Sequence, residues 1–306
     1  MSILSRPEFH DEEAAYAYVE SKLWPNGPVC PHCGENERTT KMQGKSTRIG
    51  TYKCRACRKK FTVKIGTIFE SSHVKMHLWL QAIYLMCSSK KGCSSNQLHR
   101  TLGVTLKTAW FMSHRIREAM RDNTLPTFGS GGGIVEVDET YMGKTKGLGK
   151  GPHGSKKLKV LSLVDRETKK ARSMVIDKVT IGEIYPIVKE NIAREAQLMT
   201  DQAQHYKKIG RTFAEHHSVN HGVGEYVSKT NPEHHTNTVE NYFSVFKRGM
   251  RGVYQHCGKQ HLHRYLAEYD FRYNYRAKNE YTDAERADIA LLGVSGKRLT
   301  YQRING

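Results

Sequence analysis

This sequence lacks long apolar runs and a nucleotide-binding loop, and it has few acidic residues for its number of basic ones. No run approaches the ~18–20 apolar residues that a membrane-spanning helix needs, so we expect no membrane partner. Acidic residues number 30 against 49 lysines and arginines, which leaves a formal net charge of +19. The Gly/Lys-rich stretch 143–157 lacks the G-x4-G-K-S/T pattern, which excludes a P-loop. The charge excess favours a polyanionic partner, and nucleic acid fits better than an anionic membrane surface.

Cysteine is also scarce, and four of the seven cysteines fall in one pattern. The pattern is C-x2-C-x20-C-x2-C, and its members are Cys30, Cys33, Cys54 and Cys57. Two residues between cysteines let one tight turn present both sulfurs to a tetrahedral ion, which predicts one structural Zn²⁺ per chain. Two disulfides or reduced buried thiols are the alternative. The first 24 residues are acidic and aromatic rather than typical of a secretory leader, so we expect a reducing, cytoplasmic and nucleoid-associated location.

The length of 306 residues predicts two or three domains. A helix is expected over 8–23, since acids stand in its first turn. The glycine-rich segment 128–133 has the composition of a flexible linker and predicts a domain boundary. The expected order is an N-terminal helix over 1–27, a zinc ribbon over 28–70, a helix-turn-helix-like region over 71–127, the linker over 128–133, a catalytic domain over 134–277 and a tail over 278–306.

The region after the ribbon predicts two helices separated by a glycine. Ser94 or Ser95 would cap a short helix, Gly103 would end it, and a second helix would follow over about 105–120. This length pattern is that of a helix-turn-helix, although a plain helical hairpin with solvated charges has the same lengths. The residues predicted to lie on the polar side of the second helix and to contact DNA are Lys107, His114, Arg115 and Arg117.

Three acidic residues occupy distinct positions in the second half of the chain. Asp138 lies in a predicted strand in which Val135 and Val137 face the core and Glu136 and Asp138 face the other side. Asp201 ends a later short strand. Each aspartate alone is more often a turn cap than a catalyst. Together with a glutamate on a following helix, the pattern indicates an RNase H-like nuclease, whose carboxylates can hold two Mg²⁺ ions.

That helix is predicted from about 238 to 253 and presents a polar face opposite an apolar stripe. Glu240 and Lys247 are seven residues apart, which is about two turns, so they share this face. Asn237 lies one turn earlier on the same face and is the alternative third metal ligand. An amphipathic helix with a solvated basic face is the simpler interpretation of the same pattern.

Several segments together resemble one family. The chain is similar to bacterial insertion-sequence DDE transposases of the ISXO-like group, which carry an N-terminal zinc ribbon. The similarity covers about residues 8–276, and the combination is more specific than any single piece. The matching segments are WPNGPVCPHCG (24–34), CRACRKKF (54–61), VEVDETYMG (135–143), MTDQ (199–202) and HTNTVENYFSVFKRGMRGVYQH (235–256).

The resemblance implies an α+β or α/β fold, with a zinc ribbon and helix-turn-helix followed by an RNase H-like mixed sheet flanked by helices. It implies binding of terminal inverted repeats, metal-dependent DNA cleavage and strand transfer, and a homodimer or larger synaptic complex on double-stranded DNA. Asp138, Asp201 and Glu240 would bind two Mg²⁺ or Mn²⁺ ions, and Lys247 would contact phosphate. Arg248 and Arg251 are further candidates for DNA contact. A non-catalytic DNA-binding regulator and a nuclease that does not join ends are the alternatives.

Overall fold

The computed structural model describes residues 2–143, 157–219, 227–228 and 231–300. The contacts divide the chain into two compact units, one formed by residues 1–122 with 280–306 and the other by residues 123–279. The Gly/Lys-rich loop predicted over 143–157 lies, except for its two end residues, outside the described residues. No helix in the described parts of the chain is long and apolar enough to cross a membrane.

The N-terminal unit begins with helix α1 (Glu12–Leu23) and a small antiparallel sheet. Asp11 caps α1 by accepting a hydrogen bond from the Ala14 N–H, and the first turn is acidic as the sequence predicts. Strand β2 (Tyr52–Cys54) lies between β1 (Thr39–Lys41) and β3 (Lys60–Phe61). After β3 the chain continues in turns, on which Val63, Ile68 and Phe69 are buried.

Three helices follow the ribbon: α2 (Met76–Ser88), α3 (Ser95–Leu102) and α4 (Leu106–Ala119). Ser94 caps α3, and Gly103 ends it in the left-handed conformation at φ +66°. Thr105 then caps α4. The two helices and the glycine break between them are therefore present as predicted. Their use in reading DNA stays a prediction.

The segment predicted as a C-terminal tail belongs to the fold of the N-terminal unit. It forms helix α9 (Asp283–Leu292), which begins with a capping box between Thr282 and Glu285. The buried Arg286 guanidinium donates a hydrogen bond of 2.7 Å to the Cys87 carbonyl at the end of α2. Ala290, Leu291 and Val294 are buried. Residues 280–300 thus complete a core that the first 122 residues begin.

The glycine-rich segment 128–133 forms turns that belong to the second unit and is not the linker between domains that its composition predicts. Phe128 is fully buried, and the Gly129 N–H donates a hydrogen bond of 2.9 Å to Asp165. Gly129 has φ +70°, and a Cβ at this position would lie 2.4 Å from the Cβ of Ala196. Its glycine is required by backbone conformation and close packing rather than by flexibility.

The second unit is built on one five-stranded mixed sheet with the strand order β6-β5-β4-β7-β8. Strands β4, β5 and β6 pair antiparallel, and β7 and β8 extend the sheet in parallel with β4. This order and the flanking helices agree with the predicted RNase H-like class. The strands are β4 (Ile134–Met142), β5 (Leu158–Asp165), β6 (Lys170–Ile176), β7 (Gln197–Asp201) and β8 (Glu215–Val219).

Helices cover both faces of this sheet. One core contains Val135, Val137 and Leu198 together with residues of helices α5 (Ile181–Asn191) and α6 (Gln204–Gly210). The other face packs against α7 (Asn237–Gly249) and α8 (Lys259–Asn274). Val135 and Val137 face the first core and Glu136 and Asp138 the second, which confirms the predicted alternation along β4.

Candidate metal centres and nucleic-acid interface

The four ribbon cysteines form a compact thiol cluster. The sulfur atoms of Cys30, Cys33, Cys54 and Cys57 all lie within 4.8 Å of one another. The Cys30–Cys57 and Cys33–Cys54 sulfur distances are 3.7 and 3.6 Å. Tetrahedral zinc with bonds of about 2.3 Å requires sulfur separations of about 3.8 Å, so the spacing fits zinc and is far too long for disulfides.

Backbone turns hold both pairs of thiols in place. The Cys57 N–H donates a hydrogen bond of 3.5 Å to the Cys54 sulfur. This bond, with hydrogen bonds from the Ala56 N–H and from the Cys33 and Cys57 thiols, lowers the pKa of Cys54 to about 7, although burial opposes the shift. Gly34 and Arg58, which follow the second cysteine of each pair, both adopt positive φ, at +77° and +61°. Two turns of the same shape thus present the sulfurs. A lowered thiol pKa favours the thiolate form that binds metal.

Asp138 and Asp201 are brought together by the register of the sheet. Strand β4 runs parallel to β7, with Glu136 paired with Met199. Asp138 and Asp201 lie two residues beyond this pair, each on its own strand, and the alternation of side chains puts both on the same face as Glu136 and Met199. The Glu139 N–H donates to an Asp138 oxygen at 2.8 Å, and the Ala203 N–H to an Asp201 oxygen at 3.0 Å.

The electrostatics link these two aspartates to Glu240. Asp138 is partly buried, and this burial raises the pKa of its carboxyl well above the usual range. The negative charges of Glu139, Asp201 and Glu240 raise it further, while the Glu139 N–H opposes the shift. Such mutual repulsion requires several carboxylates near one point, which is the electrostatic condition for binding cations.

The third acid stands in the first turn of α7. Glu240 accepts a hydrogen bond of 3.0 Å from the Thr236 hydroxyl, whereas Asn237 is exposed at the start of the helix. Among the described residues, only the four cysteines bring three or more potential metal-binding atoms within 4.8 Å of one another. The three carboxylates are near enough for their charges to interact, but their oxygens do not all lie within 4.8 Å of one another.

Lys247 lies beside the acidic group, two turns after Glu240. Burial lowers the pKa of Lys247, the negative charge of Asp138 raises it, and the positive charges of Arg251 and Lys157 lower it. Arg248 and Arg251 are exposed, and their contact with DNA stays a prediction. Lys157 has no distinguishing signal in the sequence, because it ends the lysine-rich stretch 143–157.

Three of the four residues predicted to face DNA from α4 are buried, which corrects that prediction. His114, Arg115 and Arg117 are 1%, 5% and 1% exposed. Arg115 donates hydrogen bonds to the carbonyls of Ile68 and Glu70, at 2.6 and 2.9 Å, so its charge serves the fold. Periodicity alone did not reveal this, because most of the second half of α4 is covered. Lys107, in the first turn of α4, is exposed.

Two further acids near Asp138 were not predicted to have roles. Glu139 points to the opposite face of the sheet, where it accepts a hydrogen bond of 2.7 Å from the Tyr206 hydroxyl. Glu136 is fully buried and contacts the start of α7 through the Val239 N–H, at 2.8 Å. In the sequence, Glu136 is marked only as a charged residue between Val135 and Val137, the position that a solvent-facing strand residue would also occupy.

Two family models match the sequence. Residues 131–274 match the ISXO2-like transposase domain, and residues 10–60 match a transposase zinc-ribbon domain. An uncharacterized protein in transposable element ISH50 of Halobacterium salinarum is 28% identical over 284 residues, which cover 86% of this chain and 91% of that protein. A chain in the cryo-EM structure of the simian T-cell lymphotropic virus intasome with PP2A regulatory subunit B56 gamma is 14% identical. That likeness covers 57% of this chain and 63% of the other, and its TM-score of 0.28 is too low to establish a shared fold.

Proposed function

Because the chain belongs to the transposases that combine an ISXO2-like domain with a zinc ribbon, we propose that it binds the terminal inverted repeats of its element and carries out metal-dependent cleavage and strand transfer. Asp138, Asp201 and Glu240 bind the catalytic metal ions, and Lys247 contacts a phosphate. A reaction that joins two DNA ends to a target requires at least two copies of the chain, so a homodimer or larger assembly is part of the proposal.

The proposal rests on one observation above all, the shared neighbourhood of the three carboxylates. Asp138 and Asp201 each lie two residues beyond the Glu136–Met199 pair on adjacent strands, and the charges of Asp201 and Glu240 raise the pKa of Asp138. Glu240 is favoured over Asn237 as the third ligand because it offers a carboxylate seven residues before Lys247, and because the Thr236 hydroxyl holds that carboxylate by a hydrogen bond of 3.0 Å. Asn237 lies in the same first turn with an exposed side chain.

The donor atoms suit hard divalent cations. Carboxylate oxygens are the protein ligands that Mg²⁺ and Mn²⁺ prefer, and a two-metal site stabilises both the attacking and the leaving oxygen of phosphoryl transfer. The chain itself provides three negative charges that attract the cations. It also provides Lys247, whose ammonium group is held near Asp138 and is suited to hold a DNA phosphate.

DNA binding is divided between the two units in this proposal. Lys107 stands in the exposed first turn of α4, the part of a second helix that reaches base edges in helix-turn-helix proteins. Arg248 and Arg251 follow Lys247 on the other unit and are exposed. Phosphate contacts of this kind position the DNA, whereas specificity for the repeats would come from base contacts near Lys107.

The test uses full-length protein, Mg²⁺ or Mn²⁺, and DNA that carries the ends of the element encoding this chain. Asp138→Asn, Asp201→Asn and Glu240→Gln should each abolish cleavage, a loss of at least about 10³-fold, while repeat binding persists. Glu190→Gln is the matched control, since Glu190 is an exposed glutamate on α5, across the sheet from the site. It should cleave at the wild-type rate.

The products separate the alternatives. Joined strand-transfer products establish a transposase, whereas cleaved ends that never join indicate a nuclease. Repeat binding by the wild-type protein without any cleavage in either metal would indicate a non-catalytic regulator. A variant Glu240→Gln that still cleaves, beside an inactive Asn237→Ala, would move the third ligand one turn toward the start of α7.

A further inference from the structure

A fully buried glutamate joins the strand that carries Asp138 to the helix that carries Glu240. Glu136 is 0% exposed and lies two residues before Asp138 on β4. One of its oxygens accepts a hydrogen bond of 2.8 Å from the Val239 N–H, in the first turn of α7. Its negative charge also lies at the positive end of the helix dipole, where an anion is stabilising. The carboxylate therefore ties the start of α7 directly to the central strand.

Arg166, directly after β5, forms the second half of this connection. Its Nε donates to the other Glu136 oxygen at 2.6 Å. Its Nη1 donates to the Glu233 carbonyl at 2.6 Å and its Nη2 to the His235 carbonyl at 2.7 Å. One planar guanidinium thus binds the buried carboxylate and two carbonyls of the segment leading into α7, a geometry that a lysine ammonium does not reproduce.

His235 closes the arrangement. Its Nδ1 lies 2.8 Å from Arg166 Nη2 and 3.4 Å from the Glu136 oxygen that Arg166 holds. Because Nδ1 accepts from the guanidinium, the ring is neutral in this arrangement. The segment 233–239 is therefore fixed at its carbonyls, at one ring nitrogen and at one N–H before the chain reaches Glu240.

We propose that Glu136 and Arg166 form a positioning clamp that sets the distance between Glu240 and the aspartates on β4 and β7. Asp138 and Asp201 need no such device, because the sheet register places them. Glu240 lies on a separate helix, and its first turn is attached to the sheet through this buried ion pair. The clamp residues touch neither substrate nor metal in this proposal, which rests on the proposed carboxylate site. They act by holding one of its three ligands.

The experiment measures Mn²⁺ affinity of the full-length, zinc-loaded protein by the electron paramagnetic resonance signal of free Mn²⁺. Glu136→Gln should lower the affinity about 10-fold or more, the range found when supporting residues of a metal site are removed. Arg166→Lys, which keeps the charge but loses the planar fork, should lower it by a smaller factor and serves if the first variant does not fold. Raised Mn²⁺ should restore DNA cleavage by both.

A matched buried ion pair provides the control. Glu268 is also 0% exposed and pairs with a largely buried arginine, Arg272, within helix α8. Glu268→Gln should destabilise the same unit without changing Mn²⁺ affinity by more than about twofold. Hydrogen exchange at the Val239 amide should increase in Glu136→Gln and stay unchanged in Glu268→Gln.

The outcomes distinguish the clamp from the site that it serves. Equal loss of Mn²⁺ affinity in Glu136→Gln and Glu268→Gln would overturn the clamp and reduce Glu136 to general stability. Wild-type affinity in Glu136→Gln would overturn it as well, while a loss in Asp138→Asn leaves the carboxylate site standing. Wild-type affinity in Asp138→Asn would overturn both proposals together.

Discussion

The thiol cluster and the carboxylate site gather metal-binding groups in opposite ways. The four thiols lie within residues 30–57 and are presented by two short turns of the same shape. The three carboxylates are spread over residues 138–240, on two strands and a helix. Local turns suffice for the first site, whereas the second requires a completed sheet and a correctly attached helix. The first should therefore tolerate changes elsewhere, while the second should respond to residues that never touch it.

The largest expected effect is loss of the thiol cluster. Cys54→Ser should abolish zinc binding, which falls from about one ion per chain to none, because binding free energy of about 10–16 kcal/mol is folding energy in small zinc domains. Trp24 packs edge-on against Tyr52 and Phe61, so its fluorescence reports on the ribbon core. Metal analysis and this fluorescence are the measurements.

The local character of the thiol site gives a second readout of the same variant. Amides of β1 and β2 should lose hydrogen-exchange protection, whereas amides of β4 and β5 in the other unit should keep theirs. Cys257→Ser, outside the cluster, is the control and should bind zinc normally. Protection lost throughout β4 and β5 in Cys54→Ser would contradict the contrast between a local and a distributed site.

Removal of one carboxylate should stabilise the fold when no catalytic metal is added, whereas removal of a ribbon cysteine destabilises it. The folded-state pKa of Asp138 is raised, so its charged form destabilises the fold above the ordinary pKa of an aspartate. Asp138→Asn should therefore raise the opening free energy of β4 and β5 amides at neutral pH. The gain should vanish as pH falls below that ordinary pKa, where both states of the wild type are protonated.

Added Mn²⁺ should make the wild type more stable than Asp138→Asn. The wild type gains stability by binding the ion, and the variant loses that gain. Hydrogen exchange is the suitable measurement, because Trp24, Trp79 and Trp110, the three tryptophans of the chain, all lie in the N-terminal unit. An Asp138→Asn protein that is less stable than the wild type without Mn²⁺ would show that this carboxylate supports the fold.

The smallest expected effect comes from a carboxyl of the same unit with different neighbours. Asp270 accepts hydrogen bonds from the Ser173 N–H, the Ser173 hydroxyl and the Tyr242 hydroxyl, at 2.8, 2.7 and 2.6 Å. Burial raises its pKa to about 6, and these bonds oppose the shift. Because the pKa of Asp270 is raised in the folded state, the stability of the wild type should fall as pH rises from about 4 to about 6.

Asp270→Asn should remove that slope, and its effect should not depend on Mn²⁺. The measurement is the difference in opening free energy between variant and wild type across this pH range. A slope in Asp270→Asn equal to that of the wild type would assign the titration to another group. A slope that disappears when Mn²⁺ is added would place Asp270 in the metal site.

Patterns within a few residues predicted much of the fold. The clustering of the four cysteines, the cap at Ser94, the start of the next helix near residue 105 and the alternation along β4 each depend on local geometry, and each appears as predicted. The boundaries of the two units could not be predicted from such local patterns. Gly129 belongs to a closely packed turn, and the tail folds as α9, because both depend on partners far away in the chain.

The same limit applies to the functional residues. Helical periodicity assigned Arg115 to a solvent face, but carbonyls at residues 68 and 70 surround its guanidinium. Glu136 alternates with Val135 as a polar residue should, yet it is fully buried because α7 and Arg166 cover it. Charge in a sequence does not distinguish a residue that binds a partner from one that joins two parts of the same fold.

The placement of α9 has a consequence for synthesis on the ribosome. Residues 123–279 are inserted between two parts of one unit, so translation delivers the whole sheet-based unit before residues 280–300 appear. The bond from Arg286 to the Cys87 carbonyl therefore forms only after residues 123–279 have been made. Domains usually complete in order from the N-terminus, but here the unit that starts first finishes last. A nascent chain would thus hold a folded nuclease-like unit while its proposed DNA reader is still incomplete.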